Sequence, residues 1–372
     1  MKRLALLFLY VCLSTLILFG STTQSSGTSG ADSLTYFDAA RFPVIGKIYP
    51  DSLPLFSRIP YFLKPTTRKA VWNLGQNSAG MAVRFRSDSP VIAVKWENTF
   101  NNSMKHMAPV GIKGLDLYCF IDGKWRFVNS AQPSGKTNQW QIISGMNTTE
   151  REYMLYLPLY DGIHSLQIGV TAPSHIGQPS LPCPDTRKPI VFYGSSITQG
   201  ACASRPGMAA TNLIGRKLNV ETINLGFSGN AFIDYEVAEM MAHADASAYV
   251  LDYVPNASPE QILEKTEKFV RILREKHPDV PLIFVEDPIF PHSKFDLRMA
   301  KEIKDKNDAM NQAFSSLKKQ GLKKIYLVKG KSLISGNGES TVDGIHFTDC
   351  GFEQYVDAIL PVLKKAINHK KK

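Results

Sequence analysis

Between residues 33 and 170, apolar and polar side chains trade places in short runs. Met81, Val83 and Phe85 alternate with Ala82, Arg84 and Arg86, the period of a strand with one wet face. Residues 91–94 form a further apolar run. Runs at 115–121 and 125–128 flank Asp122-Gly123, and runs at 153–159 and 163–170 flank Asp161-Gly162. Asp-Gly between apolar runs predicts a hairpin at each place, because both residues tolerate positive φ. Several strands without a long helical pattern predict a β-sandwich or jelly roll.

The rhythm then changes. Pro173, Pro179, Pro182, Pro184 and Pro189 mark a crossing with few apolar residues to pack. Residues 190–193 are a continuous apolar run ending at Gly194, as expected of a parallel strand buried on both faces. Runs at 221–225, 248–251, 282–285 and 325–328 predict further strands. Between them, Ser258-Pro259-Glu260-Gln261 is a helix start with a Ser cap, Pro in the first turn and Gln closing the capping box. Its apolar face carries Ile262, Leu263, Phe269, Val270 and Leu273 and stops at His277-Pro278. Helical patterns at 300–319 and 351–367 complete an alternation of strand and helix. That predicts a three-layer α/β domain with a mostly parallel sheet.

Composition agrees with two domains, which we set at 32–186 and 187–369: 372 residues, 44% hydrophobic and 20% charged, exclude a disordered chain. The formal charge of +10, from 43 Lys and Arg against 33 Asp and Glu, raises the question of an anionic partner. Its location answers it. Lys2 and Arg3 open a leader whose uncharged run from residue 4 to 20 passes into a Ser/Thr/Gly-rich exit, the pattern of a secretory signal peptide over residues 1–24. Lys364, Lys365 and the tail Lys370-Lys371-Lys372 hold much of the rest. Nucleic acid is therefore not the expected partner, and an exported protein, periplasmic or secreted, is. Cys12 follows Tyr10-Val11 rather than a small residue, which argues against a lipid anchor. Cys119, Cys183, Cys202 and Cys350 form no C-x-x-C pair and so no zinc motif.

Ligands collect at the carboxyl ends of such a sheet, and several strand ends here carry unusual polar sequence. Gly194-Ser195-Ser196-Ile197-Thr198 breaks a strand and turns toward a helix, which suits either a nucleophilic serine or a helix cap. Asn224 to Asn230 is a glycine-rich turn that lacks the phosphate-loop signatures. Asn256 follows Pro255, as a turn former or as an amide donor to an oxyanion. Asp343-Gly344-Ile345-His346 places a carboxylate three residues before an imidazole, close enough to hold Nδ1–H and leave Nε2 free to take a proton from a serine.

In this order the four blocks strongly resemble those of the SGNH (GDSL-like) hydrolases, over about residues 188–368. The resemblance implies Ser196 as nucleophile, Asp343 and His346 as its triad partners, and Ser196, Gly229 and Asn256 as oxyanion donors. The usual Gly-Asp-Ser reads Gly194-Ser195-Ser196, so Ser195 competes for the role of nucleophile. Gly114-Leu115-Asp116-Leu117-Tyr118 matches the GxDLY signature of a β-rich domain that precedes one branch of these hydrolases, and residues 200–207 look like that branch's loop after the nucleophile. The implied reaction is ester hydrolysis through an acyl-serine, requiring no metal or organic cofactor. The expected substrate is a small-molecule or polysaccharide ester, with carbohydrate O-acetyl esters first.

A lipase, thioesterase or aryl esterase of the same superfamily is the enzymatic alternative, and a non-catalytic glycan-binding protein the other. Trp72, Trp96, Trp125 and Trp140 offer sugar platforms or ordinary core residues. Arg205, in the loop beside Ser196, offers a contact to an acidic sugar or the glycan backbone, the plainer readings being an exposed loop charge or a salt bridge between the two halves. Cys202 and Cys350 lie on loops that must converge if the triad forms. They are candidates for a disulfide across its rim, the other possibility being two free thiols.

Overall fold

The computed structural model describes residues 33–368, so the expected leader and the terminal lysines lie outside the described residues. The alternating runs of the first half pair into two antiparallel sheets. One has the order Leu34–Asp38, Ile163–Thr171, Ile92–Asn98, Thr137–Ile143. The other runs Ile176–Gly177, Ala82–Ser87, Arg151–Tyr156, Leu115–Ile121, Lys124–Ala131, with Val44–Ile45 also on Ala82–Ser87. Val83, Phe85, Leu117 and Leu155 of one sheet and Val94, Trp96 and Ile168 of the other share one buried cluster. Period-two patterning thus becomes a sandwich core.

Asp122 and Gly123 turn a tight hairpin at φ 52° and 73°. Asp161-Gly162 does not. The strands on either side of it belong to different sheets, and the buried Asp161 carboxylate is occupied as an acceptor. It takes bonds from the backbone N–H groups of Phe100, Asn102 and Gly162, which pins the chain around residues 100–102 against this crossing.

In the second half five parallel strands lie in the order Val220–Gly226, Asp185–Gly194, Ala248–Asp252, Leu282–Val285, Ile325–Val328. Alternate residues enter opposite faces. Val191, Tyr193, Tyr249, Leu251 and Phe284 join one buried cluster, with helices Pro259–Lys276 and Leu297–Lys319. Ile190, Phe192, Val250, Ile283 and Val285 join another, with helices Ala210–Leu218 and Asp349–Asn368. Burial on both faces is why these strands read as unbroken apolar runs. Ser258 caps its helix through the predicted capping box.

From Leu34 onward the chain packs as one compact unit. The signature Asp116 and Tyr118 are part of the join. Arg205 Nη1 donates to Asp116 Oδ2 at 2.8 Å and to the Tyr118 hydroxyl at 2.6 Å, and its guanidinium stacks 3.8 Å from the Phe127 ring centroid. Gly207 N–H and Ser130 Oγ also donate to the fully buried Asp116. Arg205 is thus committed to the β-rich half. Arg58 does the converse, donating from the first half to the carbonyls of Asn224 and Gly226. Trp72, Trp96 and Trp125 are buried in apolar clusters and Trp140 packs against one, so the tryptophans serve as core. Among the described residues no helix is long and apolar enough to cross a membrane.

Candidate active site

At the end of strand Asp185–Gly194, a Cβ on Gly194 would stand 2.2 Å from Thr198 Oγ1 and 2.7 Å from the Asp252 carbonyl. Only glycine lets the chain turn there. The two serines that follow divide the two readings between them. Ser195 is fully buried and caps the short helix Ser196–Gln199, its Oγ accepting from Ile197 N–H at 3.2 Å. Ser196 lines a cavity of about 350 Å³, and its backbone N–H, in the first turn, has no acceptor within the helix. It is Ser196, not Ser195, that meets His346: Nε2 lies 3.0 Å from Ser196 Oγ.

The other side of the imidazole is held locally. His346 Nδ1 is 2.7 Å from Asp343 Oδ2, while Asp343 Oδ1 accepts from the backbone N–H groups of Ile345 (3.1 Å) and His346 (2.8 Å). One carboxylate therefore shapes the turn with one oxygen and orients the ring with the other. Gly344 allows this at φ 92°. Burial alone would push the Asp343 carboxyl up; the bonds from the His346 ring and from the two N–H groups outweigh it and hold it down to about 2. It is ionised throughout the neutral range.

Gly229 and Asn256 line the same cavity. A Cβ on Gly229 would meet nothing within 4 Å, so its φ of 65°, not crowding, favours glycine. Asn256 Oδ1 accepts from Ala231 N–H at 3.2 Å, which fixes the amide and leaves Nδ2 as the end available to a ligand. The remaining lining is mixed. Ile197, Phe290, Met299 and Ile345 are apolar, and Asp287, Glu302 and Lys306 are polar. Larger hollows of about 490 and 820 Å³ lie elsewhere, but neither is lined by residues of the four blocks.

Sequence reasoning missed His106, which reaches the site from the β-rich half with Nε2 4.0 Å from Asp343 Oδ2. No periodicity marks it. It also missed Asp252, though a carboxylate closing an apolar strand was a visible signal. The candidate disulfide is not formed: Cys202 and Cys350 are free, Cys202 Sγ donating to the His106 carbonyl and Cys350 Sγ accepting from Gln354. Burial and the nearby Asp343 push the Cys202 thiol up to about 12.

Asp252 lies fully buried under the Gly194–Ser196 turn, accepting from Thr198 Oγ1 and the Tyr355 hydroxyl at 2.8 Å each. Burial, against those two bonds, pushes its carboxyl from 3.8 up to about 7. Burial also raises Asp287 and Glu221 to about 7. The folded protein then holds protons the unfolded chain has released. Their contribution to stability is fully present below about pH 4 and is lost as pH rises through about 7. Urea midpoints measured from about pH 5 to 8 should fall with pH, and Asp252→Asn should flatten that fall by about one proton's share. An unchanged slope would show that Asp252 is ionised in the native state.

Residues 187–364 match the model of the GDSL-like lipase/acylhydrolase family, and residues 34–176 match the N-terminus of SGNH-hydrolase-type esterases. A protein from Bacteroides ovatus ATCC 8483, assigned as a GDSL-like lipase, is 39% identical, with 90% of this chain and 98% of that one covered at a TM-score of 0.86. The chain belongs to the GDSL-like lipase/acylhydrolase family. The three-layer domain falls within the first match and the β-rich half within the second. The salicylyl-acyltransferase SsfX3 from a tetracycline biosynthetic pathway shares this fold at 17% identity and a TM-score of 0.71, covering 89% of this chain and 98% of its own. The acetyl xylan esterase Est2A from the rumen bacterium Butyrivibrio proteoclasticus shares it at 12% identity and a TM-score of 0.54, covering 90% and 98%. No curated protein matches this GDSL-like chain by sequence.

Proposed function

We propose that the protein is an exported serine esterase that removes short acyl groups, O-acetyl first among them, from carbohydrates. The observation that carries this reading is the unbroken chain from Asp343 through His346 to Ser196, 2.7 and 3.0 Å, opening on a cavity that Gly229 and Asn256 also line. His346 Nε2 takes the Ser196 proton as Oγ attacks the acyl carbon, while Asp343 fixes the tautomer and stabilises the imidazolium. The N–H groups of Ser196 and Gly229 and Nδ2 of Asn256 receive the oxyanion. His346 then gives that proton to the departing sugar oxygen, which leaves as a hydroxyl, and takes another from the water that attacks the acyl-serine, releasing the carboxylic acid and Ser196.

The polar part of the cavity supports a hydroxyl-rich leaving group, since Asp287, Glu302 and Lys306 offer donors and acceptors beside the apolar lining. The acetyl xylan esterase among the structural relatives fits the same class. Asn256→Ala is expected to lower kcat by about 10²- to 10³-fold with little change in KM, because the amide acts on charge that develops only in the transition state. A fall confined to KM would assign it to substrate binding.

One observation favours a lipase-like second reading. Ile289, Phe295 and Leu297 are exposed on the segment that carries the cavity residues Phe290 and Met299, an apolar surface that suits a longer acyl chain. Two assays separate the readings: acetate release from a panel of acetylated polysaccharides, with Ser196→Ala as control, and a series of esters from acetyl to octanoyl. Activity rising along the series, with no acetate released from any polysaccharide, would replace the first reading by the second. No hydrolysis of any ester would favour the glycan-binding alternative.

A further inference from the structure

A second set of donor atoms reaches His346 from behind the proposed proton path. His106 lies on the segment anchored by Asp161. Its ring packs on that of His346 with centroids 5.4 Å apart at 31°, and its Nε2 is buried without a hydrogen-bond partner. One donor atom each from His106, Cys202 and His346 lie within 4.8 Å of one another, and Asp343 Oδ2 stands 4.0 Å from His106 Nε2. His106 and Cys202 have no part in the ester chemistry proposed above.

We propose that His106, Cys202 and His346 form a zinc-binding site whose occupation switches hydrolysis off, an inference that rests on the esterase reading above. Two imidazoles and a thiol are the donor set zinc prefers over calcium or magnesium. Tetrahedral zinc at about 2.0–2.3 Å sets its donors about 3.3–3.8 Å apart, so side-chain rotations closing the present spacing by about 1 Å complete the site. Asp343 Oδ2 or water takes the fourth position. Cys202 holds its side chain there at φ 68°, a backbone conformation that glycine would adopt without strain.

The inhibition follows from imidazole chemistry. A neutral imidazole has one nitrogen lone pair free to accept. Once zinc takes the lone pair on either ring nitrogen of His346, the other nitrogen carries the proton and cannot receive one from Ser196. The thiol proton leaves as the zinc–sulfur bond forms. His106 and His346 are 33% and 22% exposed, which gives the ion a path from solvent.

Chelator-competition titration of the full chain with zinc chloride reads the site directly, and hydrolysis of an acetyl ester reads its effect. Wild type is expected to bind one zinc and to lose hydrolysis as that site fills, with recovery on adding EDTA. Cys202→Ser and His106→Gln should bind zinc about 100-fold or more weakly, and whatever hydrolysis each shows without metal should resist zinc at concentrations that silence wild type. Cobalt(II) should give wild type a sulfur-to-metal charge-transfer band that Cys202→Ser lacks. Unchanged zinc affinity in both variants, or no zinc binding by wild type, overturns the proposal. The cobalt band is read without substrate, so failure of the metal site is distinguished from failure of the esterase reading.

Discussion

Ser196→Ala is expected to lower kcat for acetyl-ester hydrolysis by about 10⁶-fold, to the level left by the oxyanion donors and substrate binding. The size follows from the substitution's narrowness. It removes one oxygen, the atom 3.0 Å from His346 Nε2, and with it the acyl-enzyme route. The backbone N–H of residue 196 and the Ser195 cap stay in place, because the cap bond runs from Ile197 N–H to Ser195 Oγ. Thermal unfolding should therefore change little. Ser195→Ala is the paired control: it is expected to cost stability through the lost cap, about 1 kcal/mol, and to retain hydrolysis. Hydrolysis that survives Ser196→Ala and disappears in Ser195→Ala would reverse the assignment.

Asp343→Asn is expected to lower kcat by about 10⁴-fold at neutral pH with the fold intact. The turn decides how the amide sits. Two backbone N–H groups, of Ile345 and His346, donate to Oδ1, so the amide oxygen takes that place and the NH2 group faces His346 Nδ1. A donor there forces Nδ1 to accept, the ring proton moves to Nε2, and the base loses the lone pair it needs for Ser196. Loss through the wrong tautomer leaves KM nearly unchanged. A drop of only a few-fold would mean that Asp343 serves the turn alone.

The layers of the molecule were legible because burial writes a period into the chain. Period-two runs became the sandwich, and unbroken runs such as residues 190–193 became strands with apolar clusters on both faces. The Ser, Gly and Asn blocks were legible as short turns at strand ends, and the Asp-x-x-His block as a turn before the last helix that Asp343 itself shapes. What stayed hidden depends on distant partners. Asp161-Gly162 carries a hairpin signal, yet its carboxylate is claimed by the N–H groups of residues 100 and 102. His106 reaches the imidazole from a segment held by Asp161 and by the Cys202 thiol on its own carbonyl. Arg205 could be a glycan contact, an exposed charge or a salt bridge on sequence alone, and Asp116, 89 residues away in the chain, takes it.

Labelling with a fluorophosphonate reads the activation of Ser196 itself, because the reagent forms a phosphonyl-serine, with loss of fluoride, where a base activates the hydroxyl. One phosphonyl group per chain is expected, found by peptide mass mapping on Ser196, with hydrolysis lost in step with labelling and no label in Ser196→Ala. A label on any other residue that accompanies the loss of activity, or full labelling of Ser196 with hydrolysis undiminished, would contradict it.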